Sequence, residues 1–81
     1  MVKLHEFNSM NDHEKAQTLW NGTYLADREE NGLTLQLYGV GDFYVEVYYD
    51  TVANKILRFR SFKSVALLMP YLAHIKFNLR S

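Results

Sequence analysis

Eighty-one residues provide one domain with one core and no room for a second. A composition of 48% hydrophobic and 15% aromatic residues excludes a disordered segment, and the absence of cysteine excludes disulfide staples, thiol chemistry and thiolate zinc sites. The net charge of zero hides an asymmetry. All nine acidic residues fall between Glu6 and Asp50, whereas residues 51–81 carry only bases: Lys55, Arg58, Arg60, Lys63, Lys76 and Arg80. Such a split is neutralised within the fold or forms a basic patch for an anionic partner.

In chain order, residues 1–15 (MVKLHEFNSMNDHEK) interleave charge with apolar residues where an export signal needs an unbroken apolar stretch, so a cytoplasmic address is expected. Leu4, Phe7 and Met10 lie three apart and predict an early helical turn. Asn11-x-x-Glu14 has the form of a capping box and starts a helix ending near Asn21, with Ala16, Leu19 and Trp20 on one face. Gly22 is expected to take the left-handed conformation that closes it.

From Thr23 the period changes to two. Thr23 to Glu30, the Asn31-Gly32 turn and the alternating run Leu33 to Tyr38 predict a hairpin. Gly39 and Gly41-Asp42 mark a second turn, Phe43 to Tyr49 alternates again, and a loop over Asp50 to Asn54 leads into Lys55 to Phe62. Four strands joined by short loops make an antiparallel meander. Alternation predicts one core face from Leu33, Leu35, Leu37, Phe43, Val45 and Val47, and a second face of Gln36, Tyr38, Tyr44, Glu46, Tyr48, Ile56, Arg58 and Arg60, with Glu46 opposite Arg58.

A second helix is expected from Ser64 as N-cap, kinked at Pro70, with Val65, Leu68, Met69, Leu72 and Ile75 on its core side. Leu67 and Tyr71 form an uncharged flank outside that stripe, and Ile75 to Leu79 alternates as a strand would. The uncharged run from Ser64 to Ile75 is too short to span a bilayer, so no membrane partner is expected. The expected architecture is α+β: an N-terminal helix, a four-stranded meander and a C-terminal helix packed on one sheet face, all in a single domain over residues 1–81.

No catalytic signature emerges. His5, His13 and His74 lack metal-ligand spacing, the serines lack nucleophile-elbow glycines, and Gly39-Val-Gly41 leads into a strand where a phosphate-binding loop needs a helix N-terminus. Asp27, Glu29 and Glu30 read as acids on an exposed strand. The runs Phe43 to Tyr49, Arg60-Ser-Phe62 and Pro70-Tyr-Leu72 resemble small stand-alone bacterial proteins, a likeness that implies no activity, cofactor or binding residue.

The functional expectation is a non-catalytic protein-interaction module, self-association included, without cofactor or metal. Its candidate surfaces are the sheet face of Tyr38, Tyr44, Glu46, Tyr48, Arg58 and Arg60 and the helix flank of Leu67 and Tyr71, for a protein partner or a second copy. The alternative is binding of nucleic acid or another anion, with Lys55, Arg58, Arg60 and Lys63 on phosphates and Tyr44 and Tyr48 as stacking platforms.

Overall fold

The computed structural model describes residues 2–72, in which two short helices precede a four-stranded sheet and a 3₁₀ helix follows it. Helix α1 spans Leu4–Asn8 and α2 spans Asp12–Trp20. The capping box forms as the sequence predicts: the Asn11 side chain accepts from the Glu14 N–H at 2.8 Å, and the Glu14 carboxylate accepts from the Asn11 N–H at 3.0 Å. Gly22 differs from expectation, since its φ is not positive. Its lack of a side chain matters for space: a Cβ there would lie 2.7 Å from the Gly39 carbonyl oxygen, so glycine lets the chain leaving α2 cross the sheet closely.

Strands β1 (Thr23–Glu30), β2 (Leu33–Val40), β3 (Phe43–Asp50) and β4 (Lys55–Phe62) form an antiparallel meander in the order β1-β2-β3-β4. Asn31 and Gly32 both take positive φ, 53° and 80°, as the two-residue hairpin turn requires.

Register overturns the expected division of the faces. The two-residue turn Gly41-Asp42 pairs Val40 with Phe43, so odd positions of β2 meet even positions of β3. Leu33, Leu35 and Leu37 therefore share a face with Tyr44, Glu46 and Tyr48, while Gln36 and Tyr38 lie with Phe43, Val45 and Val47. Between β3 and β4 the expected parity holds from Tyr48 onward because a bulge at Leu57 compensates for a loop one residue shorter than predicted. Glu46 consequently pairs with Arg60, Tyr48 with Arg58, and Ile56 moves to the face of Tyr49.

Both faces are covered, by different elements. Phe7 from α1 and Leu19 from α2 pack with Val40, Phe43, Val45 and Val47 on one face, joined by Leu4, Met10 and Phe59. On the other, Ala26, Leu37 and Phe62 pack against Tyr71 and the partly buried Leu67 and Leu68 of the 3₁₀ helix, Val65–Tyr71. The segment after the sheet thus adopts 3₁₀ rather than kinked α geometry over its described length, with Pro70 inside it. Its facing also differs: Leu68 keeps its expected place against the sheet, but Tyr71 is fully buried, whereas Val65, Met69 and Leu72 are exposed. With about three residues per turn, Leu68 and Tyr71 fall in line and Leu67 lies beside them, which displaces the stripe that a 3.6-residue period selects. The predicted strand Ile75 to Leu79 lies outside the described residues. No helix among the described residues is long and apolar enough to cross a membrane.

Candidate functional site

The sheet face under the 3₁₀ helix carries a buried carboxylate. Glu46 is 1% exposed on the inner strand β3, where alternation places it between neighbours from β2 and β4. A charge there must be paired or it would neutralise. Arg60, its cross-strand partner, donates to Glu46 Oε1 at 3.2 Å, and Tyr71 donates its hydroxyl proton to Oε2 at 2.8 Å. The Arg28 guanidinium approaches Oε2 at 3.6 Å from β1 and is anchored on its other side by Glu30 at 2.7 Å. Arg28 also stacks on the Tyr71 ring, 5.1 Å from its centroid. Burial, reinforced by the bond to Glu46, pushes the Tyr71 hydroxyl well above the ordinary phenol range. It therefore stays a proton donor at every ordinary pH. Arg28 Nε is buried with no hydrogen-bond partner among the described residues.

Five of the six sheet-face candidates, Glu46 and Arg60 of this cluster among them, share one face as the sequence predicts, and one does not. Tyr44 packs on Phe62, with ring centroids 5.7 Å apart, while Arg58 stands over the Tyr48 ring at 4.4 Å and is exposed. Arg60 reaches both Glu46 and the Phe62 ring. Tyr38 belongs to the opposite face, where its ring meets Tyr24 edge-on at 5.6 Å and packs against the α1–α2 core. The helix flank, Leu67 and Tyr71, is turned inward onto the sheet. Sequence reasoning missed Arg28 altogether. The sequence offered only a lone base among acids on β1; the register, which sets Arg28 level with Leu35, is what brings it to the face of Glu46.

Self-neutralisation accounts for much of the charge asymmetry at this face. Arg60 is engaged by Glu46, and Lys63 lies 3.4 Å from Asp42. Lys55 and Arg58 have no ion pair among the described residues.

Three recesses among the described residues are distinct from the carboxylate, one of them, about 360 Å³, lined by Val2, Thr18, Asn21, Gly22, Val40 and Gly41. An open groove of about 440 Å³ runs along Thr23, Leu25, Leu37, Gly39, Gly41, Tyr44 and Leu68. A shallow one, about 90 Å³, lies on the helix face between α2 and β4, where Trp20 and Ala16 meet Tyr38, Ile56 and Phe59. Trp20, which helical spacing sets on one face with Ala16 and Leu19, is 75% exposed, and Ile56, which lines the same recess, is 42% exposed.

Comparison with known proteins found no matching family model, no matching curated protein and no matching solved structure.

Proposed function

We propose that this protein is a non-catalytic interaction module that seats a protein partner on the groove between α2 and β4. The observation that carries the reading is Trp20, a large aromatic side chain 75% exposed at the rim of a groove it shares with Ile56. Exposed tryptophan beside aliphatic side chains is typical of the anchors of protein interfaces, where burying it supplies much of the binding energy. By contrast, Glu46, Arg60 and Tyr71 satisfy one another within the fold. Their groups are engaged in holding the 3₁₀ helix.

The test places a photo-crosslinking benzophenone amino acid at position 20 in the source cells, with the same substitution at the exposed Gln17 as control. A discrete adduct from position 20 alone, lost on Ile56→Glu, is expected. Equal labelling from both positions, or none, overturns the reading.

Anion or nucleic-acid binding is the second reading, favoured by one observation: Arg58 is exposed over Tyr48 and lies on the same strand as Lys55. It predicts an affinity for single-stranded oligonucleotides that falls steeply with salt and is lost in Arg58→Ala. Filter binding at two salt concentrations separates it from the first reading.

A further inference from the structure

We propose that the basic outer edge of β4 receives the acidic outer edge of β1 from a second copy of this chain, continuing the sheet head to tail from one molecule to the next. The inference shares the premise that the protein is an interaction module but concerns a different surface from the Trp20 groove.

The two outer strands are opposite in charge. Strand β1 presents Asp27, Glu29 and Glu30, all exposed, and its one base, Arg28, is tied to Glu30 and Glu46. Strand β4 contains no acid and presents Lys55 and Arg58, which have no ion pair among the described residues, together with Arg60, which is engaged by Glu46, while Lys63 beyond it lies against Asp42. Two β4 edges repel each other, and so do two β1 edges, which disfavours a two-fold symmetric pairing of like edges. Unlike edges attract.

Strand order makes that union geometrically simple. In a meander of four strands, β1 and β4 run in opposite directions. A second copy displaced sideways, without turning over, brings its β1 antiparallel to the first copy's β4 and keeps both helical layers on the same side.

Bulges then select the register. Strand β1 is irregular at Leu25 and β4 at Leu57, so the regular stretches are Ala26 to Glu30 and Arg58 to Phe62. Aligned antiparallel, these set Glu30 opposite Arg58 and Ala26 opposite Phe62 on the Glu46 face. On the helix face Glu29 comes opposite Phe59, beside Lys15, whose Nζ lies 5.8 Å from that ring. The one like-charge meeting, Arg28 with Arg60, involves two guanidiniums that each already approach their own chain's Glu46. Bulges and charges also blunt each edge against indiscriminate pairing, so the contact is short and concentration-dependent.

Sedimentation velocity on the full chain tests this first. The mean mass is expected to rise past that of a dimer with concentration at about 20 mM salt and to fall back at about 500 mM, where the charges are screened. Because the chain has no cysteine, Glu30→Cys and Arg58→Cys report the geometry directly under a mild oxidant. The 1:1 mixture of these two variants should form a cross-linked dimer far more readily than either alone, with far-UV circular dichroism confirming that each folds. A wild-type monomer at every concentration overturns the proposal, as does cross-linking within one variant as efficient as in the mixture. Trp20→Ser should leave this association intact, so an adduct at position 20 without edge pairing overturns this inference alone.

Discussion

Tyr71 donates its hydroxyl proton to Glu46 across 2.8 Å, fastening the 3₁₀ helix to the only carboxylate buried in the sheet among the described residues. The bond joins two fully enclosed side chains, so water cannot replace it when either partner is removed. Tyr71→Phe is expected to lower stability by about 1.5–3 kcal/mol, the range for a hydrogen bond to a charged group. Glu46→Ala leaves Arg28 and Arg60 facing each other without their shared counter-charge and should lower it by about 3–5 kcal/mol. For a domain this small the second change approaches complete unfolding. Urea titration of both variants measures the difference.

Alkaline pH should weaken the fold through the same hydroxyl. Its pKa is raised in the folded chain by burial and by the Glu46 carboxylate, above the roughly 10 of an unfolded tyrosine. The native state then holds a proton that the unfolded chain releases, so this stabilisation is complete below about pH 10 and is lost progressively above it, at up to about 1.4 kcal/mol per pH unit. Stability against pH should therefore fall less steeply in Tyr71→Phe than in wild type over that window. Parallel curves for the two proteins would show that other groups carry the alkaline transition.

Arg58 and Arg60 lie two residues apart on one face and should respond differently to truncation. Arg60→Ala removes a donor from a buried carboxylate, whereas Arg58→Ala removes an exposed stack on Tyr48, a contact of about 0.5–1 kcal/mol. Arg60→Ala is expected to be the more destabilising. A double-mutant cycle with Glu46→Gln should show coupling for Arg60 and almost none for Arg58.

Gly22→Ala should destabilise by about 1–3 kcal/mol through overpacking, because the added methyl meets the Gly39 carbonyl at 2.7 Å and the Val40 side chain at 3.3 Å. Thermal melting decides this. Unchanged stability would show that the α2–β1 connection moves aside without penalty.

The amino-acid sequence by itself determined every element whose signal is local. The Asn11/Glu14 capping box, the Asn31-Gly32 turn and the two-residue alternation of four strands each depend on neighbours within a few positions, and each appears where the pattern places it. Only the tertiary structure decided which residues share a face. Turn length and bulges set the parity of pairing: the two-residue turn at Gly41-Asp42 sends Leu35 and Leu37 to the side of Glu46, and the bulge at Leu57 moves Ile56 away from Arg58. One residue in either place exchanges the faces of everything beyond it. Burial of Glu46 was equally out of local reach, because its partners come from β1, β4 and the 3₁₀ helix, and a carboxylate on an alternating strand reads as solvated until those elements close over it. The same closure turned Tyr71 inward. Trp20 shows the converse: helical spacing sets it on one face with Ala16 and Leu19, but the nine-residue α2 meets the sheet through Leu19 and leaves the indole at the rim.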